Sequence, residues 1–213
     1  ELQEQLVRAR EALRFEATHD ALTGLLNRRA AERVLDQEFA RSNRTGAPLA
    51  VLMIDLDSFK SINDRYGHAG GDAVLIAAAR CLERGVRSYD QVARLGGEEF
   101  LVILPGCTAY DAQLVAERLG AAMRAESVQT DVGTISFTAS LGIASHPELP
   151  SSEIEVLLSA ADAALYRAKA LGRDRSELAI ASPSGPDEPH NPTESQVTTL
   201  PRAVDPFHSL RAG

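Results

Sequence analysis

The order of elements in the sequence predicts an α/β chain, an α+β sandwich in which a mostly antiparallel mixed sheet of about five strands is flanked by helices. Three observations carry that expectation. Leu49 to Asp55 is a continuous apolar run closed by an acid, which suits a central strand buried on both faces. Gln91 to Leu95 and Phe100 to Leu104 are strand-like runs separated by Gly96-Gly97-Glu98-Glu99, a glycine-led hairpin turn. Helical stretches fall between the strands, so the core reads β-α-β-β-α-β.

The elements follow from local signals. Residues 1–17 are charged and rich in helix formers, and Leu2, Leu6, Ala9 and Leu13 recur at coiled-coil spacing. The stretch reads as the end of a longer signalling helix entering from upstream. A paired seam and a solvated amphipathic helix are both open on this pattern. Asn27 can cap a helix through about Arg44, closed by Gly46 and Pro48. A helix is expected from Asp72 to about Arg84, another over Tyr110 to Ala125, and strand residues occupy Thr134 to Ser145. Ser152 to Leu171 forms a helix with Ile154, Leu157, Leu158, Ala161, Leu165 and Ala168 on one face and Gly172 as its stop. A last short strand follows near Ser176 to Ile180. The working domain is 18–180. Residues 181–213 hold six of the ten prolines and one aromatic, Phe207, too little apolar surface to offset ordering, so disorder is expected there.

Composition sets outer bounds. The chain has 213 residues, a formal net charge of −8, 44% hydrophobic residues and two cysteines. That acidity argues against a partner that is a nucleic-acid polymer, yet leaves room for a locally basic nucleotide pocket. Cys81 and Cys107 make no disulfide framework and read as reduced core thiols. The longest apolar runs, Leu49 to Ile54 and Val74 to Ala79, are too short to span a bilayer, so no membrane contact is expected. The chain opens on Glu1, not Met, and reads as a fragment: a cytoplasmic domain of a parent either soluble or membrane-anchored.

Topology brings the acids together. A strand at 49–55, a helix and a strand at 91–95 make a crossover, so both strands should run parallel and end at one sheet edge. Asp55, Asp57, Glu98 and Glu99 then converge. Clustered carboxylates repel and call for a cation; hard oxygen donors without His or Cys suit Mg2+ or Mn2+, which in turn suit phosphates. No Walker-type glycine loop is present.

The same residues carry a resemblance. Gly96-Gly97-Glu98-Glu99-Phe100 is similar to the GGDEF/GGEEF signature of diguanylate cyclases. So are Asp20-Ala21-Leu22-Thr23-Gly24-Leu25-Leu26-Asn27-Arg28-Arg29 and Asp55-Leu56-Asp57-Ser58-Phe59-Lys60-Ser61-Ile62-Asn63-Asp64. Gly67-His68, Gly71-Asp72, Ser140-Leu141-Gly142-Ile143-Ala144 and Ala161-Asp162-Ala163-Ala164-Leu165-Tyr166-Arg167-Ala168-Lys169 match further blocks, in order, over residues 17–178. The resemblance implies a nucleotide-cyclase, palm-like core that condenses two GTP into cyclic di-GMP and pyrophosphate.

By that resemblance Asp55, the Leu56 carbonyl and Glu98 hold Mg2+ (or Mn2+), and Glu98 or Glu99 assists deprotonation. Lys60 and the amides of Ser58 and Phe59 meet phosphates, with Lys169 and Arg173 as counter-cations at the end of the last helix. Those two cations can equally serve only to complement a helix C-terminus. Asn63 and Asp72 select guanine, whose N1–H and N2–H₂ a carboxylate can accept together; the plainer alternatives are a loop brace and a helix N-cap. Arg87-Ser88-Tyr89-Asp90, with Arg118, matches the family's product-inhibition site, against the alternative of a surface ion pair between Arg87 and Asp90. Each site takes one GTP, so the resemblance implies a homodimer, aligned by the 1–17 helix and an upstream sensor region. Asp174 stands where the family usually has Asn, and Ser58 where it usually has a bulkier residue. Two rivals stand beside the cyclase: an inactive receptor for cyclic di-GMP at Arg87 and Asp90, and a dimerisation scaffold.

Overall fold

The computed structural model describes residues 1–147 and 153–180. The expected disorder of 181–213 lies outside the described residues. In order the chain forms α1 (Leu2–Thr18), β1 (Leu26–Asn27), α2 (Arg28–Thr45), β2 (Leu49–Leu56), α3 (Phe59–Gly85), β3 (Gln91–Gly96) and β4 (Glu99–Pro105). Then come α4 (Ala109–Ala125), β5 (Ser127–Thr130), β6 (Gly133–Ser136), β7 (Ala139–His146), α5 (Ile154–Ala170) and β8 (Ser176–Leu178). No helix among the described residues is long and apolar enough to cross a membrane.

Six strands form the main sheet in the order β1-β3-β4-β2-β7-β8, and β5 with β6 makes a separate hairpin. β2 lies in the middle, antiparallel to both β4 and β7, and every residue of it is buried. Its alternation explains the layers. Ala50, Leu52, Ile54 and Leu56 pack with Val74, Leu82, Leu119 and Met123 of α3 and α4. Leu49, Val51 and Met53 face the other way, onto Leu35 and Phe39 of α2 and Leu157 and Leu165 of α5. Two apolar layers on one strand leave only its end for chemistry.

Several expectations hold as read. Asn27 caps α2, its side chain accepting the Ala30 N–H at 3.0 Å, and Gly46 ends that helix in the left-handed region at φ 70°. β2 and β3 run in the same direction, as the crossover requires, although β4 lies between them.

Others are corrected. The helix expected from Asp72 begins at Phe59 and runs to Gly85, broken at Gly67, where φ 73° and ψ 170° leave the helical region. Asp72 is therefore inside a helix and caps nothing. The strand expected over Thr134 to Ser145 is two strands, β6 and β7, parted at Phe137 and Thr138. β1 is only two residues long, and β5 is a largely exposed polar strand. Neither shows the apolar alternation by which a strand is recognised.

Candidate active site at the end of the central strand

The register places the acidic residues. Asp55, on the last turn of the pleat in β2, lies opposite Glu99 of β4 and Ser140 of β7. The β3–β4 turn closes over it because Gly96 (φ 149°) and Gly97 (φ 49°) take backbone conformations that side-chain-bearing residues resist. Leu56 N–H donates to the Glu98 carbonyl at 3.2 Å, tying the turn to the strand end. Arg94 holds it from the other side, its Nε and Nη2 donating to the Gly97 carbonyl at 3.0 and 2.9 Å. Asp55, Glu98 and Glu99 are thereby gathered at one edge.

Their electrostatics are unfinished. Lys169 Nζ, from the last turn of α5, meets Asp55 Oδ2 at 2.8 Å. Burial still holds the Asp55 carboxyl above its ordinary value, helped by the charges of Glu98 and Asp57 and opposed by Lys169. Burial pushes Glu99 up to about 7, with Asp55 and Glu98 adding repulsion that Arg28 and Lys169 only partly offset. Among the described residues no three His, Cys, Asp or Glu side chains gather as a ready cage for a metal ion. The donor set fits a divalent cation nonetheless. Asp55, Glu98 and the Leu56 carbonyl are hard oxygens with surplus negative charge, and a nucleotide's phosphate oxygens would complete the shell.

Asp57, expected in the same cluster, adds its charge to Asp55 but has its carboxylate oxygens engaged elsewhere. Its carboxylate accepts from Thr138 Oγ1 at 2.7 Å, Ser140 Oγ at 2.6 Å and the Asp174 N–H at 3.0 Å. That is a structural socket, filled by neutral donors.

The residues expected to meet phosphates sit beside the edge. Ser58 precedes α3 in the left-handed region at φ 55° and makes no side-chain cap. Ser61 and Ile62 amides return to the Ser58 carbonyl, while Phe59 and Lys60 supply first-turn amides that have no intrahelical acceptor. Lys60 is exposed. Beyond the Gly67 break the helix folds back so that Gly71 abuts the Asn63 amide, and a Cβ there would overlap Asn63 Oδ1. This fold brings Asn63 alongside the segment bearing the exposed Asp72.

Arg173 departs from expectation. It is not on the end of a helix in line with Lys169 but in the following turn, at φ 63°. There it lines a cavity of about 500 Å³ with Ser58, Ser61 and Arg65. Asp174, which follows Arg173, has its carboxylate engaged by Arg124, Nη2 to Oδ1 at 2.7 Å.

The second group of residues lies apart from this edge. Arg87 N–H donates to Asp90 Oδ2 at 2.8 Å, whereas the Arg87 guanidinium donates to the Tyr89 hydroxyl at 2.8 Å. The expected alternative, an ion pair between Arg87 and Asp90 side chains, is thus replaced by a backbone-to-carboxylate turn. Arg118 donates to the Gly85 carbonyl at 2.7 Å. Asp90 is buried with Oδ1 unpartnered. Burial raises its pKa against the Arg87 amide and the charges of Arg87 and Arg118.

Sequence reasoning gave no role to Arg28, whose charge acts on Glu99, nor to Thr138, Ser140 and Arg124. Arg28 adjoins the Asn27 cap and Ser140 opens one of the matched blocks, so both had a local signal; Thr138 and Arg124 had none.

Residues 17–175 match the family model described as "Diguanylate cyclase, GGDEF domain". The chain is 43% identical over 169 residues to the diguanylate cyclase DgcP of Pseudomonas aeruginosa, covering 79% of this chain and 25% of that protein. It is 40% identical over 176 residues to the diguanylate cyclase DosC of Escherichia coli K12, covering 81% of this chain and 37% of that one. The chain therefore spans roughly a quarter to a little over a third of these relatives' length. Among solved structures, the coiled coil and GGDEF domain of DgcB from Caulobacter crescentus, in complex with c-di-GMP, superposes with a TM-score of 0.75 at 31% identity, covering 83% of this chain and 93% of that one.

Proposed function

The chain belongs to the GGDEF family of diguanylate cyclases, and from that premise we propose that it condenses two GTP into cyclic di-GMP with release of two pyrophosphates. The observation that carries this reading is the gathering of Asp55, Glu98 and Glu99 at the end of β2, beside Lys169 and the open first-turn amides of α3.

Each residue has a task in that reaction. The 3′-hydroxyl of one GTP attacks the α-phosphorus of the other, the bond to the bridging oxygen breaks, and pyrophosphate departs with the charge. Phe59 and Lys60 amides, with the Lys60 and Lys169 ammonium groups, bind and orient the phosphates. Arg173 grips their far end. Glu98 or Glu99 takes the hydroxyl proton. Asp55, the Leu56 carbonyl and Glu98 would hold Mg2+ or Mn2+, which supplies charge neutralisation on the phosphates. Asn63 and Asp72 read the guanine edge.

One pocket holds one nucleotide, so two domains must face each other. The exposure of Leu6 (70%) and Leu13 (66%) on α1 supports pairing through that helix, under an upstream region of the parent chain. Arg87, Asp90 and Arg118 supply a product-binding corner that throttles turnover; the unpartnered Asp90 Oδ1 supports a ligand donor there.

The test is to incubate the chain with GTP and Mg2+, beside Glu98→Ala, and separate the nucleotides by chromatography. Cyclic di-GMP from the parent alone is expected. Binding of cyclic di-GMP without turnover would instead make the chain a receptor, and neither would leave a scaffold.

A further inference from the structure

The turn between α5 and β8 carries two successive non-glycine residues in the left-handed region, Arg173 at φ 63° and Asp174 at φ 49°. L-residues enter that region against a steric penalty and stay only where their surroundings over-determine them. Here the surroundings are explicit. Arg124, in the last turn of α4, forks onto the Asp174 carboxylate, with Nε to Oδ2 at 2.8 Å and Nη2 to Oδ1 at 2.7 Å. The same Nη2 reaches the Asp174 carbonyl at 3.3 Å. From the opposite side Asp174 N–H donates to Asp57 at 3.0 Å, and Asp57 is itself fixed by Thr138 and Ser140. Arg173 N–H closes the turn onto the Ala168 carbonyl at 3.0 Å.

The fork holds the Asp174 side chain while the Asp174 carbonyl, the Asp174 N–H and the Arg173 N–H are held through the backbone, and what these bonds leave projecting is the Arg173 side chain. Among the described residues its guanidinium has no hydrogen-bond or ion-pair partner, and it lines the cavity shared with Ser58 and Ser61 at the start of α3.

We propose that Arg124 and Asp174 are positioning residues, a clamp that holds this turn in its left-handed form so that Arg173 is presented to the terminal phosphates of the nucleotide. The proposal rests on the reading of the site as a GTP pocket. The pair is half-exposed, with side-chain exposures of 52% and 37%, where an ion pair adds little to global stability. A bidentate fork instead fixes direction. Its loss should therefore be felt at the phosphate end of the ligand and not in the melting temperature.

The experiment uses the full chain with Mg2+ and measures equilibrium binding of GTP, GMP and inorganic pyrophosphate, together with steady-state turnover. Arg124→Ala is expected to weaken GTP and pyrophosphate about tenfold and GMP less than about twofold, with the kinetic loss in KM and kcat within about threefold. Arg124→Lys, which keeps the charge without the fork, should fall between. Equal weakening of all three ligands with a lower melting temperature would make the pair merely structural and overturn the proposal. So would unchanged binding of all three. A parent that binds GTP but forms no cyclic di-GMP sinks the cyclase reading while the binding pattern still supports the clamp. A parent that binds no GTP overturns both.

Discussion

Asp55 and Asp57 stand two residues apart at the end of one strand and live in opposite surroundings. Asp57 is enclosed by two hydroxyls and an amide, each within 3.0 Å. Asp55 has one ammonium group, at 2.8 Å, against the charges of Glu98 and Asp57 and the facing Glu99. The first is a carboxylate the fold has finished with; the second keeps a charge that Lys169 only partly offsets, which is the opening the proposed metal and nucleotide would fill. Charge alone does not mark a functional acid. What marks it is an electrostatic account that the protein leaves open.

The largest effect that would break this contrast is on catalysis. Asp55→Asn should lower cyclase activity about 10³-fold, as loss of a principal charge-stabilising group does, with little change in unfolding free energy. Asp57→Ala should do the reverse in emphasis, leaving the Asp174 N–H and two hydroxyls without their acceptor and lowering stability by about 3–5 kcal/mol in urea unfolding. Asp57→Asn sharpens the point. Its amide oxygen can keep the Thr138 and Asp174 bonds, while its NH₂ donates to the Ser140 hydroxyl, which can accept. That variant should stay folded and active within about tenfold. Equal damage from both asparagine substitutions would erase the distinction.

A smaller effect tests how Lys169 is kept within reach of Asp55. β7 and α5 approach so closely at Gly142 that a Cβ there would overlap the Ala161 carbonyl and the Leu165 backbone. Those atoms belong to the helix whose last turn carries Lys169 and cannot rotate aside. Gly142→Ala should cost about 1–3 kcal/mol by overpacking and should lower activity as well, because α5 must retreat from the sheet. Loss of stability with full activity would mean that the position of Lys169 tolerates the shift.

Much of this arrangement was legible beforehand. The uninterrupted apolar run at Leu49 announced a strand buried on both faces, and Gly96-Gly97 announced the turn that carries Glu98 and Glu99 back to it. The start of α3 was not legible, since the left-handed Ser58 and the break at Gly67 interrupt helical periodicity. The fates of Asp55 and Asp57 could not be separated either. Both end the same apolar run, and the groups that satisfy Asp57 come from 81 to 117 residues further along the chain. Arg124 is likewise invisible in sequence, an exposed cation at a helix end whose partner lies 50 residues away.

The smallest expected effect concerns a third carboxylate, Asp20, which resembles Asp57 in being satisfied but resembles Asp55 in using a cation. It accepts from the Thr23 amide at 2.9 Å, the Thr23 hydroxyl at 2.7 Å and Arg94 at 3.1 Å. Burial opposes its ionisation, but these bonds and the Arg94 charge outweigh it and hold the carboxyl below its ordinary 3.8. The folded state therefore binds this proton more weakly than the unfolded state, so the stabilisation is complete above the ordinary value and disappears as pH falls through the lower folded one. Asp20→Asn should cost about 1 kcal/mol near neutrality, and its unfolding curve should converge on the parent's in strong acid. Because Arg94 also holds the Gly97 carbonyl, the same variant should loosen the turn that carries Glu98 and lower activity a few-fold. A stability gap that persists unchanged into acid would show that Asp20 acts through packing and not through its charge.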